Sequence, residues 1–348
     1  MLTETSPVTI KDVATLAGIS ICAASRALRG LPGVSESTCA KAHESAEKLR
    51  YRVPSPAQSN NNRSGAVAVV VPTATTWYFA HAAEAAQEII ADAGLDPVLI
   101  SLRGQEHIQS RLFDDPRELA QTVDGFLIID VDLTPQQTAA LSSSHRAIAS
   151  VGMHNVPWDN VGIDNVAAAK AATNRLLSLG HWDIAFLAGG QTGNGKIRAT
   201  PDRRQGFELA LAEHDAVAHP DWVIEAGYTL EGGRQAMEEL IKHRDIPTAV
   251  FAGCDEVAFG ALMSLKDHGL ACPGNISMIG IDDHPISRVL GLTTIAQPVA
   301  DEAAFAATLL LDRLQRPTET GSPGNHYLPT VLTDRTSTER RVASQLHR

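Results

Sequence analysis

The stretch Val8-Thr9-Ile10-Lys11-Asp12-Val13-Ala14-Thr15-Leu16-Ala17-Gly18-Ile19-Ser20-Ile21-Cys22-Ala23-Ala24-Ser25-Arg26-Ala27-Leu28 decides how the N-terminal end of this chain folds. Thr9 is placed to cap a helix with Asp12 three residues on, and Val13, Leu16 and Ala17 then fall at helical spacing. Gly18 stops that helix. Ser20 caps a second one over roughly Ile21 to Leu28, so a glycine-containing turn separates two short helices, the spacing of a helix-turn-helix. After Gly30-Leu31-Pro32-Gly33, Ser35 and Glu36 open a third helix that ends near Arg50. Its apolar positions Ala42, Ala46 and Leu49 close a three-helix core.

The charge pattern sets this end apart from the rest. The whole chain carries a net charge of -11, but residues 1–64 hold eight basic and five acidic side chains, so the remainder is strongly acidic. A basic end on an acidic body is the pattern of an attached polyanion-binding module. The chain has 348 residues, which at ~150 per domain implies two or three units. Hydrophobic residues make up 44% and charged residues 20%, with no apolar run near the ~18 residues of a membrane span. That composition excludes a disordered, coiled-coil or membrane-spanning chain. The first residues show neither a basic nor an apolar leader segment, so the expected location is the cytoplasm. Cys22, Cys39, Cys254 and Cys272 form no C-x-x-C pair, which argues against a disulfide framework and a zinc cage. Cys22 and Cys39 read as packing residues.

Residues 53–65, Val-Pro-Ser-Pro-Ala-Gln-Ser-Asn-Asn-Asn-Arg-Ser-Gly, are polar and rich in turn formers, and mark a linker between a headpiece over 8–52 and a body over 66–340. From Ala66 onward short apolar runs alternate with amphipathic stretches. Strands are predicted over Ala66–Val71, Pro97–Ser101, Gly125–Asp130, Ala147–Val151, Ile184–Ala188, Thr248–Ala252 and Met278–Ile281. Helices are predicted over Ala80–Ala93, Val166–Leu179, Arg203–Glu213, Glu231–His243, Glu256–His268 and Asp301–Leu314. Such alternation means an α/β body with parallel sheets covered on both faces, and its length suggests two lobes. Ligands in such folds sit at strand C-terminal ends, which points to the cleft between the lobes.

Enzyme motifs fail on inspection. Gly190 to Lys196 has the glycine-lysine spacing of a P-loop, but Ile197 stands where a hydroxyl must bind magnesium. The thirteen histidines include no H-E-x-x-H and no close pair at metal-ligand spacing, and no G-x-S-x-G elbow is present. No enzyme activity, metal or cofactor is expected.

The segment Val8 to Ser20, with Ser25-Arg26-Ala27-Leu28, Val34-Ser35 and Tyr51-Arg52, resembles the headpiece of the LacI/GalR family of bacterial transcription regulators. The resemblance implies that the second helix enters the major groove of an operator, with Ser20, Ile21, Cys22, Ser25, Arg26 and Arg29 at the DNA. Ile21 and Cys22 cannot make bidentate bonds to bases, although Ile21 suits a thymine methyl group; Arg26 suits guanine or phosphate. Ala23 replaces the family's usual threonine. In the family the linker folds as a hinge helix that wedges a leucine into the minor groove. Here Asn60 stands at that place, Gln58 replaces a common arginine, and Pro56 with Asn60-Asn61-Asn62 disfavours a helix. Weaker DNA bending is therefore expected.

The resemblance continues through Val123-Asp124-Gly125-Phe126, Gly162-Ile163-Asp164-Asn165, Leu179-Gly180-His181, Arg203-Arg204-Gln205-Gly206-Phe207, Asp255, Ala258-Phe259-Gly260-Ala261, Gly280-Ile281-Asp282-Asp283 and Leu292-Thr293-Thr294-Ile295. It implies a two-lobed core like a type I periplasmic binding protein. The expected lobes are about 66–163 with 292–323 and 164–291 with 324–340, joined by crossovers near Ile163, Gly291 and Gly324. Positions matching the family's effector pocket are Tyr78, Phe79, Asp164, Arg203, Tyr228, Asp255 and Asp282. Arginine and carboxylates bond hydroxyls and aromatic rings cover the apolar face of a sugar. For Asp164 and Asp255 a helix cap or hinge hydrogen bond is the alternative. Thr76-Trp77 replaces a frequent asparagine-proline and Cys254 a frequent asparagine, so the effector is expected either to present less hydroxyl chemistry there or to be something other than a simple hexose. The function implied is a sequence-specific, dimeric DNA-binding repressor controlled by a small sugar-like effector. The tail after Arg335 is too short for a tetramer-forming heptad coil. A solute-binding receptor is the rival reading, and would share the body but lack the headpiece.

Overall fold

The computed structural model describes residues 8–28, 33–49, 51, 64–103, 105–190, 199–316 and 322–341. Three helices come first: α1 (Ile10–Ala17), α2 (Ile21–Leu28) and α3 (Glu36–Leu49). The Thr9 amide and hydroxyl both donate to the Asp12 carboxylate at 2.8 Å, which fixes the start of α1. Gly18 ends it at φ +64, a left-handed conformation that costs a residue without Cβ little. The Ser20 hydroxyl accepts from the Ala23 amide at 3.1 Å and caps α2. Ile10, Val13, Ala14, Ala24, Ala27, Leu28, Ala42, Ala46 and Tyr51 are buried, so the three helices share a core of mostly small side chains.

Past residue 63 the chain runs through β1 (Ala66–Val71), α4 (Trp77–Asp92), β2 (Asp96–Ser101), α5 (Glu106–Phe113), α6 (Arg117–Thr122), β3 (Gly125–Ile129), α7 (Pro135–Ser142), β4 (Ala147–Val151) and β5 (Asp159–Gly162). Next come α8 (Asn165–Ser178), β6 (Ile184–Ala188), α9 (Ala199–Ala212), β7 (Val223–Glu225), α10 (Leu230–Ile241) and β8 (Ala249–Ala252). They are followed by α11 (Asp255–Asp267), β9 (Ser277–Asp282), α12 (Pro285–Leu290), β10 (Thr293–Ala296), α13 (Val299–Gln315), β11 (Asn325–Tyr327) and β12 (Val331–Thr333). No helix among the described residues is long and apolar enough to cross a membrane.

Two compact units result. The first holds residues 1–162 and 299–327, the second residues 163–298 and 328–348. In the first, a parallel sheet runs β11-β5-β4-β3-β1-β2. Val70, Phe113, Phe126, Ile128, Leu141 and Trp158 fill one of its cores. In the second, the order is β12-β10-β9-β8-β6-β7, with only the β10–β12 pair antiparallel. Phe186 stacks on Phe251 at 4.9 Å and on Phe207 at 5.3 Å in its core.

The expected lobe boundaries need correction at two crossings. Residues 292–298, assigned from sequence to the first lobe, remain in the second unit because β10 pairs with β9 in the register Thr293↔Ile279. Residues 324–327, assigned to the second lobe, remain in the first because β11 pairs with β5, Asn325 opposite Asn160. In each case one more parallel strand is added before the chain leaves the sheet.

Candidate functional site

In a parallel sheet the chain leaves two neighbouring strands toward opposite faces at one place, and the crevice there is where ligands bind. In the second unit that place lies between β6 and β8, since β7 flanks β6 on its other side. Gly189 follows β6, and a Cβ there would lie 2.0 Å from ring carbons of Tyr228, so only glycine lets the ring occupy this position. Gly253 follows β8, and its carbonyl accepts from Arg203 Nη1 at 2.5 Å.

Arg203, on α9, is 5% exposed and is fixed at two points. Besides the Gly253 carbonyl, its Nε donates to Asn165 Oδ1 at 2.8 Å. Its guanidinium carbon lies 5.9 Å from the centre of the Tyr228 ring. Tyr228 itself sits at φ +49, and its hydroxyl accepts from Thr200 Oγ1 at 3.2 Å. Asp282 ends β9 at φ +135, a strained conformation for a residue with a side chain. It is 5% exposed and accepts from Gln297 Nε2. Burial pushes its carboxyl up to about 6, against the nearby Arg203 charge, which favours the ionised form. Arg203, Asp282 and Tyr228 thus make a preorganised set of fork, carboxylate and ring.

Asp255 plays another part. It is 0% exposed, and its carboxylate accepts from Thr294 Oγ1 at 2.7 Å, Ser287 Oγ at 2.6 Å and the His284 amide at 3.0 Å. Burial, followed by the charge of Asp282, raises its carboxyl well above the usual range. All three bonds tie the segment after β9 to α11, within the second unit. We expect Asp255→Ala to strand a main-chain amide and two hydroxyls and to lower unfolding free energy by about 3 kcal/mol, at 1–3 kcal/mol per buried unpaired group with partial relaxation. Urea unfolding of the variant checks this, and an unchanged midpoint would contradict it. Asp164 caps α8 by accepting from the Ala167 amide at 2.8 Å and is exposed. Cys254 precedes α11 and is buried, with its thiol raised well above the ordinary value by that burial.

The ring positions of the first unit divide. Tyr78, in the first turn of α4, is half-buried and meets Phe79 edge-on at 5.2 Å. Phe79 is buried and contributes to packing. The sequence reading missed Asn165, Gln297 and Gly253, which orient Arg203 and Asp282; their only sequence signal is a position directly beside a predicted strand end or helix start. Among the described residues no group of three or more His, Cys, Asp or Glu is placed to hold a metal ion.

In the headpiece, Ile21 and Ser25 are buried and Cys22 is half-buried, with its thiol raised mainly by that burial. Arg26 pairs with Glu88 of α4, α2 packs on α13, and Lys11 lies 5.8 Å over the Phe305 ring. The α2 face expected at DNA is therefore partly covered in this arrangement. Arg29 and Asn60 lie outside the described residues, as does the Gln191–Lys196 part of the P-loop-like run.

Two family models match the chain: bacterial regulatory proteins of the lacI family over residues 9–54, and a periplasmic binding protein-like domain over residues 173–338. Catabolite control protein A of Priestia megaterium is 30% identical over 318 residues, 89% of this chain and 94% of that protein. The HTH-type transcriptional repressor CytR of Escherichia coli (strain K12) is 31% identical over 316 residues, 88% and 90% of the two chains. Among solved structures, a transcriptional regulator CelR–cellobiose complex aligns with a TM-score of 0.70 at 28% identity, covering 95% of this chain and all of that one.

Proposed function

The chain belongs to the LacI family of bacterial regulatory proteins, and we propose that it is a homodimeric repressor whose hold on an operator is set by a small hydroxylated, sugar-like effector. The observation that carries the effector reading is the buried Arg203–Asp282–Tyr228 set at the β6/β8 strand ends, which offers a donor fork, an acceptor and a ring to one ligand. The cellobiose bound by a relative of the same fold supports that ligand class. An effector changes operator affinity only through its different affinity for the DNA-competent and DNA-incompetent states, typically by 1–3 kcal/mol. Relief of repression by the effector is the favoured sign.

Thermal unfolding of the full chain with D-ribose, cellobiose, myo-inositol and nucleosides tests the effector reading. A ligand at 100 times its dissociation constant is expected to stabilise the protein by about 2.7 kcal/mol. Absence of any shift across the panel would contradict it.

The dimer reading rests on α12, where Ile286, Val289 and Leu290 are exposed, Val289 by 83%. Adjacent exposed apolar side chains on one short helix favour burial against a second copy. Val289→Asp is expected to shift the protein to monomer by light scattering and to weaken operator binding, because each half-site is then bound alone. A variant that stays dimeric would remove α12 from the interface.

A further inference from the structure

Strand β9 runs out into two successive residues with unusual backbone, Asp282 at φ +135 and Asp283 at φ +58. A residue with a side chain keeps such a conformation only where its surroundings impose it. Asp282 is the carboxylate of the Arg203 site, so whatever imposes this turn also aims that carboxylate. Several restraints do so within the second unit. Gln297 Nε2 donates to the Asp282 carboxylate. The Asp283 amide donates to Thr294 Oγ1 at 3.4 Å, and the His284 amide to the Asp255 carboxylate at 3.0 Å. The Asp283 side chain is held by Arg335, 52 positions further along the chain.

Arg335 spans the connection between β9 and β10. Its Nη2 donates to Asp283 Oδ1 at 2.5 Å, where the connection starts, and its Nη1 to the Leu292 carbonyl at 2.7 Å, where it ends. Two bonds from one planar group fix a spacing as well as a charge, which an ammonium does not. The backbone that carries Arg335 is itself tied down. Its amide donates to Thr293 Oγ1 at 2.9 Å, and the Thr336 and Ser337 amides donate to the Gly291 carbonyl at 3.0 and 2.9 Å. Ser337 Oγ accepts from the Thr293 amide at 2.7 Å and donates to the Met278 carbonyl at 2.6 Å. Gly291, at φ +69, permits this close approach, because a Cβ there would lie 2.2 Å from Thr336 Oγ1.

The ion pair does little for the fold as a whole. The Asp283 side chain is 34% exposed and that of Arg335 16%, and a pair so open to solvent adds little to folding stability. Its place in the chain gives it another use. A binding group must be kept within about 0.5 Å of its productive position by neighbours that are themselves fixed. Asp283 is covalently next to Asp282, and relaxation of its left-handed backbone would turn the preceding carboxylate with it. We propose that Arg335 is a positioning residue of the effector site, holding Asp282 in its ligand-facing orientation through its bonds to Asp283 and the Leu292 carbonyl. It acts through Asp283 and does not itself touch the ligand. This assignment rests on the reading that Asp282 binds a hydroxylated effector.

Calorimetric titration of the full chain with cellobiose, D-ribose and myo-inositol tests it, on wild type, Arg335→Met, Arg335→Lys, Asp283→Asn and the Arg335→Met/Asp283→Asn double variant. Asparagine tolerates the left-handed backbone at 283, so that variant removes the charge with little backbone cost. At least one probe should bind wild type, and Arg335→Met should weaken it by roughly tenfold or more. Charge-assisted bonds are about twice as strong as neutral ones, so Asp283→Asn, which keeps an acceptor oxygen, should weaken it by roughly threefold. The double variant should lose no more than Arg335→Met alone, because both substitutions remove one interaction. Arg335→Lys should recover only part of the loss. The melting temperature of Asp283→Asn without probe should stay close to that of wild type. Equal probe affinity in wild type and Arg335→Met would overturn the assignment and leave the Arg203–Asp282 reading standing. Losses that multiply in the double variant would also overturn it, as would an Asp283→Asn protein that melts lower but binds the probe as wild type does. Failure of every probe on wild type would overturn both readings.

Discussion

Replacing Arg26 with alanine is expected to weaken operator binding by roughly 30- to 25,000-fold while leaving effector affinity unchanged. A guanidinium fork on a base edge discriminates by about 1–3 kcal/mol, and a two-fold symmetric dimer loses it in both half-sites. Arg26 lies in the second helix of the headpiece, beside Gly33, whose Cβ position is 3.5 Å from Arg26 Nη2. Its pairing with Glu88 does not compete seriously with DNA. Both side chains are partly exposed, at 24% and 45%, and such pairs contribute about 0–1 kcal/mol, less than the contact with DNA. Band-shift titration of the variant gives the operator affinity, and thermal unfolding with effector tests the other half. An unchanged operator affinity would remove α2 from the major groove.

Arg203→Ala should do the reverse, reducing effector affinity by roughly 30- to several-thousand-fold with operator binding retained. Losing a buried charged donor, and leaving the nearby buried Asp282 charge without it, costs about 2–5 kcal/mol. Here the loss removes the bonds to Asn165 and Gly253 and the charge that holds Asp282 ionised. Arg203→Lys should recover only part of it, since an ammonium keeps the charge without the planar fork. The same site predicts a pH dependence. Asp282 is raised to about 6 by burial, so effector affinity should fall as pH drops below about 6 and the acceptor is protonated. Folding stability runs the other way. A carboxyl raised in the folded state stabilises the protonated protein, so this contribution is full below the ordinary carboxylate range and is lost as pH rises through about 6. Asp282→Asn should flatten the binding profile. Calorimetry between pH 5 and 8 checks this, and a profile that is flat in wild type would contradict the role of Asp282.

Where local chemistry is strong, the fold is readable from residues alone. The Thr9–Asp12 box, Gly18 and Ser20 delimit α1 and α2 as expected, and β1, β4 and β6 have the predicted bounds. The elements that escaped are short and polar. Strand β5, Asp-Asn-Val-Gly, has no apolar period, and its place is set by distant partners: Asp159 accepts from the Gly324 amide and Arg313 Nε, each at 2.9 Å. The same holds for β11, which delays the third crossing. Residue type and family position single out Arg203, Asp282 and Tyr228 as candidates. They cannot foresee that the Asp255 carboxylate is filled from within the fold, because the three donors that occupy it come from positions 284, 287 and 294.

On the proposed function, a sequence-reading headpiece and an effector-binding core act on one equilibrium. Fluorescence anisotropy of the full chain on an operator selected from genomic fragments, against a scrambled duplex, measures this directly when repeated over salt concentration and with an effector from the thermal screen. The expected result is a preference for the selected duplex, an affinity that falls steeply and linearly in log–log form as salt rises, and a shift of that affinity by effector. Equal binding to every duplex, unmoved by any effector, would contradict it.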